Sequence, residues 1–112
     1  MVQKVPCVYI LASGPNGTIY IGVTSDLFAR MAQHAQKRVA GFTSKYGLTQ
    51  LVYFENYETM DAAIKRETQL KRWNRIWKLR LIEQMNPVWA NLFDAATGEI
   101  RGGPFDPPLC MP

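Results

Sequence analysis

Cys7-Val8-Tyr9-Ile10-Leu11, then Ser13-Gly14-Pro15-Asn16-Gly17, then Thr18-Ile19-Tyr20-Ile21-Gly22-Val23: this stretch decides the fold. Its two flanks are rich in Val, Ile and Tyr, side chains that suit a pleated surface, and the residues between them are turn formers. The pattern predicts a β-hairpin with strands over 6–11 and 18–23. Gly14 and Gly17 flank Pro15-Asn16 and are read as serving the turn.

Beyond Gly22 the apolar spacing becomes helical. Thr24, Ser25 or Asp26 can cap, and Leu27, Phe28, Met31 and Ala35 form a stripe, which predicts a helix to about residue 37. Arg30 and His34, four apart, are neighbours on one flank of that stripe. Residues 38–48, with Gly41 and Gly47, read as a loop, and residues 50–57, containing Leu51, Val52, Tyr53 and Phe54, as a third strand. A second helix is predicted from Thr59, with Met60, Ala63, Ile64, Glu67 and Leu70 in phase. The phase fails beyond Trp73, because a straight helix would put Lys71 and Lys78 into the same stripe. A break near Asn74 would free Trp77, Leu81 and Ile82 to pack separately, and Asn86-Pro87 ends the helical region. The expected organisation is one domain over residues 1–94 and a Gly/Pro-rich, disordered tail over 95–112.

The whole chain of 112 residues is 47% hydrophobic and 20% charged, the composition of one ordinary globular domain. No apolar run reaches the roughly 18 to 20 residues that span a bilayer, and Met1-Val2-Gln3-Lys4 leads into a strand rather than a signal peptide, so no membrane partner and a cytoplasmic location are expected. Cys7 and Cys110 make neither a disulfide framework nor a zinc spacing. A single histidine excludes a His-rich metal site, and there is no Walker loop, dinucleotide fingerprint, HExxH or paired CxxC.

Charge is unevenly distributed. Between positions 65 and 80 lie Lys65, Arg66, Lys71, Arg72, Arg75, Lys78 and Arg80 against the lone acid Glu67, a local +6 in a chain of net charge +4. Such a cluster, interleaved with Trp73 and Trp77, points to a phosphate-binding surface. Glu67 is the most informative residue by spacing. A carboxylate among Met60, Ala63, Ile64 and Leu70 must be paired with Arg30 or a neighbouring lysine, protonated, or bound to a cation. Tyr9 and Tyr20 have no signal beyond the ordinary packing of strand tyrosines.

Cys7-Val8-Tyr9, ten residues, then Tyr20-Ile21-Gly22, with Arg30 eight residues on and Glu67 in a later helix, resembles the two-strand signature of the GIY-YIG nucleases. Several further segments are similar to the small stand-alone, URI-type predicted endonucleases of that superfamily. These are Phe42-Thr43-Ser44-Lys45-Tyr46, Leu51-Val52-Tyr53-Phe54-Glu55, Ala63-Ile64-Lys65-Arg66-Glu67, Leu70-Lys71-Arg72-Trp73 and Asn86-Pro87-Val88-Trp89. The first element departs from the pattern, reading Cys-Val-Tyr rather than Gly-Ile-Tyr, but keeps the tyrosine. The family's late asparagine has two candidates, Asn86 and Asn91, and its position after an aromatic favours Asn91.

The resemblance implies an α+β fold, a small three-stranded antiparallel sheet flanked by helices. It implies hydrolysis of DNA phosphodiester bonds dependent on Mg²⁺ or Mn²⁺, with structure-directed cleavage in repair or recombination as the setting. Carried over residue by residue, Glu67 is the single protein ligand of the metal, and Arg30 binds the scissile phosphate and stabilises its developing charge. Tyr9 is the base and Tyr20 orients water or phosphate, with these two roles exchangeable. His34 stands where some relatives have a second tyrosine and suits proton relay, and Asn91 completes the catalytic set. Lys45, Lys65, Arg66, Lys71, Arg72, Arg75 and Lys78 are expected to contact nucleic acid, DNA foremost with RNA open. The alternative is a catalytically silent nucleic-acid-binding module; a third reading is a protein-interaction domain anchored by Trp73 and Trp77.

Overall fold

The predicted hairpin forms, its strands running one residue later than the pattern indicates. The structure, a computed structural model, describes residues 5–35, 50–93 and 100, apart from the side chains of residues 34 and 35. Strand β1 is Cys7–Ala12 and β2 is Ile19–Thr24. They pair antiparallel, with Cys7 opposite Thr24, Tyr9 opposite Gly22 and Leu11 opposite Tyr20. Asn16 takes the left-handed φ of 55° that closes the turn, a conformation Asn tolerates better than most residues. The third strand, β3, is Gln50–Asn56 and pairs antiparallel with the other side of β1, giving the order β2-β1-β3.

Helix α1, Leu27–Ala35, follows β2. Of the three candidate caps, Asp26 is used: its Oδ1 accepts from the Ala29 amide at 3.1 Å, while Thr24 Oγ1 accepts from the Asp26 amide at 3.1 Å. Helix α2, Met60–Arg72, is capped by Thr59, whose hydroxyl accepts from the Ala62 amide at 3.2 Å. The predicted break falls at Trp73 and Asn74. Asn74 caps the new helix α3, Arg75–Met85, accepting from the Trp77 amide at 3.0 Å. Caps of this kind contribute about 1 kcal/mol each.

Alternation along β1 divides the molecule into two cores. Val8, Ile10 and Ala12 face α2 and α3, packing with Ile21, Ala63, Leu70, Trp73, Leu81 and Ile82. Cys7, Tyr9 and Leu11 face the other way, toward Met31 and Leu27 of α1 and toward Leu92 and Phe93. The central strand is therefore buried on both faces, with helices on each side of an antiparallel sheet.

Register against β3 slips between Ile10 and Leu11: Ile10 pairs with Tyr53 but Leu11 with Leu51, leaving Val52 as the extra residue of a bulge. Its carbonyl is satisfied from outside the sheet. The buried Asn86 donates Nδ2–H to Val52 O at 3.2 Å and to Ala90 O at 2.8 Å, while its Oδ1 accepts from the Ala90 amide at 2.9 Å. Beyond it, Trp89 holds a left-handed φ of 58°, offset by burial of its indole and by donation from Nε1 to Glu83 at 3.1 Å.

Residues 86–93 close the fold. Asn91 Oδ1 accepts from the Leu51 and Phe93 amides, each at 3.1 Å, and the Leu92 amide donates to Leu51 O at 2.7 Å. Phe93 bridges to Ile100. Apart from Ile100, the expected disordered tail lies outside the described residues, as does the loop predicted over 38–48. Among the described residues no helix is long and apolar enough to cross a membrane.

Candidate functional site

The β1–β2 register sets Tyr9 directly opposite Gly22, and the tyrosine ring lies across the glycine. A Cβ on residue 22 would stand 2.5 Å from Tyr9 Cζ and 2.5 Å from its hydroxyl oxygen, so glycine is required here for close approach. Tyr20, on the same face, brings its ring centroid to 6.4 Å from that of Tyr9, tilted by 46°. Arg30, from the second turn of α1, faces the Tyr9 hydroxyl closely enough to act on it by hydrogen bonding and by charge. Thus the structure brings together Tyr9, Tyr20 and Arg30. Burial pushes the Tyr9 pKa above its ordinary value; Tyr20 adds to the rise and Arg30 works against it. At neutral pH the Tyr9 hydroxyl is accordingly a hydrogen-bond donor beside a permanent cation.

His34 follows one turn after Arg30 in α1; its side chain, like Lys45, lies outside the described residues. Asn86 and Asn91 sit at β3 with their side chains bonded to backbone, as described above.

Glu67 arrives from the opposite face of the sheet. Arg66 and Glu67 leave α2 on opposite flanks of the buried Ala63 and Leu70, and Arg66 reaches toward β3, so Glu67 flanks the side nearer β2. Its side chain is 16% exposed and pairs with Lys71 at 3.6 Å, one of the alternatives its position in the stripe left open. That contact is long and its lysine is exposed, so it holds the carboxylate weakly. Among the described residues no three His, Cys, Asp or Glu side chains gather to cage a metal. The donor set suits a hydrated ion such as Mg²⁺ on one carboxylate, and does not suit a metal held by protein ligands alone.

The basic cluster divides into committed and uncommitted cations. Arg66 pairs with Glu55; Lys71 with Glu67; Arg75 donates to Asn16 O at 2.8 Å and Gly17 O at 2.7 Å, tying α3 to the hairpin turn. Lys78 Nζ lies 3.4 Å from Lys71 O. Lys65, Arg72 and Arg80 are exposed and enter no ion pair among the described residues. Trp73 is buried and Trp77 stands at 36% exposure, packed edge-on against it at 5.9 Å.

A second polar constellation went unread in the sequence. Glu55, with 0% exposure, accepts hydrogen bonds from the Tyr53 and Tyr57 hydroxyls, the latter at 2.6 Å, and from Arg66 Nε and Nη2 at 3.0 and 3.2 Å. Burial works against the Arg66 charge, but the hydrogen bonds and charge of Glu55 outweigh it and hold its pKa above the ordinary value. The guanidinium lies 5.1 Å over the Trp73 ring. The signal was present as Tyr53-x-Glu55-x-Tyr57, three polar-tipped residues at strand period on one face.

This geometry stands beside clear relationships to known proteins. The GIY-YIG catalytic domain family matches residues 5–80. The chain belongs to the GIY-YIG family. UPF0213 proteins of Staphylococcus aureus strains Mu50 and N315 are each 39% identical over 77 residues, covering 69% of this chain and 93% of the relative. The solution NMR structure of the UPF0213 protein BH0048 from Bacillus halodurans is similar with a TM-score of 0.50 and 28% identity, covering 78% of this chain and 92% of that one. As a GIY-YIG domain related to the UPF0213 proteins, the chain has the expected small α+β fold, a three-stranded antiparallel sheet flanked by helices.

Proposed function

We propose that this GIY-YIG domain binds nucleic acid through its phosphates, with Tyr9, Tyr20 and Arg30 as the grip on one phosphate. The observation that carries this reading is the convergence of a protonated Tyr9 hydroxyl and the Arg30 guanidinium, fixed by the close seat of the Tyr9 ring on Gly22. A tyrosine hydroxyl beside a guanidinium suits an anionic oxygen, and a phosphodiester supplies one. DNA is the expected partner, bound with little base specificity, since phosphate contacts position a protein without reading sequence.

A second reading extends the first to hydrolysis of the bound phosphodiester in DNA repair or recombination, and the weakly held, partly buried Glu67 favours it. Glu67 would hold Mg²⁺ or Mn²⁺, which when bound polarises the phosphate and makes an attacking water more acidic. Arg30 would stabilise the charge that grows on the phosphate oxygens. Tyr9, its pKa raised, serves as a donor unless a nearby positive charge lowers it enough to act as base; Tyr20 would orient water, His34 relay the proton, and Asn91 assist from the segment bonded to β3.

One set of assays separates the two. Fluorescence anisotropy with labelled duplex and branched DNA should show affinity falling by at least about tenfold between about 50 and 200 mM salt, and Arg30→Ala should weaken it. Salt-independent or absent binding would overturn the proposal. Nicking in Mg²⁺ or Mn²⁺ that Glu67→Ala and Arg30→Ala both abolish, with unchanged circular dichroism, would establish hydrolysis. Binding without nicking of any duplex, flap or junction would leave the binding module.

A further inference from the structure

On the side of the sheet away from Tyr9, α2 borders a groove of about 780 Å³, lined by Tyr57, Lys65, Arg66, Gln69, Arg72 and Trp73 among others. We infer that this groove is a second nucleic-acid site and takes a nucleotide unit of an unpaired strand, Lys65 and Arg72 holding backbone phosphates while the base lies against the wall formed by Tyr57 and Arg66. The inference rests on the nucleic-acid reading above and adds where, and in what form, a strand is held.

Three observations converge. The first is the division of cations: of the seven basic residues between positions 65 and 80, four are engaged with other described residues, and two of the remaining three, Lys65 and Arg72, line this one groove. Seven residues apart on a helix, they lie on the same side about 10 Å apart along the axis, a spacing that lets them contact phosphates on either side of one base. Second, the groove is built rather than incidental. Glu55 clamps Arg66 through two nitrogens and holds its guanidinium 5.1 Å over the Trp73 ring, so this wall of the groove is fixed in place. A cationic groove with flat stacking surfaces is the combination by which proteins hold single strands irrespective of sequence. Third, the volume falls in the range of small-ligand clefts and is enough for a nucleotide.

The test uses the full ¹⁵N-labelled chain and a 5′-phosphorylated hexathymidylate, with a blunt duplex for comparison. The hexathymidylate should shift the amides of Lys65, Gln69 and Trp73, and these shifts should persist in Arg30→Ala. Arg72→Gln and Arg80→Gln each remove one positive charge, but only Arg72 lines the groove; Arg72→Gln should weaken hexathymidylate binding about fivefold more than Arg80→Gln. Equal weakening, displacement by polyglutamate as effective as by hexathymidylate, or shifts confined to β2 and α1 would overturn the inference. If duplex binding survives while no groove amide moves, only the groove assignment fails. If no nucleic acid binds at all, the reading of the Tyr9 site falls with it.

Discussion

Gly22 contributes to the site by having no side chain, because its missing methyl is the space in which the Tyr9 ring lies. Tyr9 is 1% exposed in the strand buried on both faces, so the ring cannot swing into solvent. Gly22→Ala is therefore expected to cost about 1–3 kcal/mol in urea denaturation, as overpacked cores do, and to weaken DNA binding further by moving the Tyr9 hydroxyl away from Arg30. Unchanged stability and affinity would show that the ring yields without loss. The signature residues Tyr9, Tyr20, Gly22 and Arg30 were legible because their order along the chain carries the resemblance. Glu55 was not. Its burial depends on Arg66, eleven residues later on a different element, and nothing local distinguishes it from a solvated acid at the end of a strand. Spacing placed Glu67 within the apolar stripe, whereas the helix holds it at the stripe's flank, leaving room for the pair with Lys71.

Elements set by local chemistry matched their sequence signals. The turn formers gave the hairpin, and the phase failure beyond Trp73 gave the break that Asn74 caps. The β3 bulge was not legible, because register is decided by pairing between segments some forty residues apart in sequence. Its stability depends on Asn86, which supplies the donor that a regular ladder would have provided to Val52. Asn86→Ala should leave Val52 O unpaired in a buried setting and the part-buried Ala90 amide and carbonyl without their partner, costing about 2 kcal/mol. Urea unfolding should show this as a lower midpoint with an unaltered slope; a midpoint equal to that of the parent chain would mean that water replaces the amide.

Across the whole molecule, protons are held more tightly in the folded state than in the unfolded one at several buried acids. Burial pushes the Cys7 thiol from its ordinary 9.0 up to about 12, and burial followed by Glu55 pushes Tyr53 and Tyr57 above their ordinary 10.0. Since the folded values are raised, their stabilising effect is complete below pH 9, and falls as the unfolded chain alone loses protons through pH 9 to 12. Melting temperature should be level near neutrality and decline from about pH 9, with native Cys7 unreactive toward iodoacetamide at pH 8; a level curve to pH 11 would contradict these burial effects. Sheet closure has a different consequence. The family match ends at residue 80, yet Asn91 and Leu92 occupy the backbone groups of Leu51 on the outer side of β3. A chain ending at Ala90 would retain Tyr9, Tyr20, Gly22 and Arg30 but lose Leu92 and Phe93 from the core beside Tyr9 and uncover a strand edge that another copy could pair with, so self-association is its expected failure.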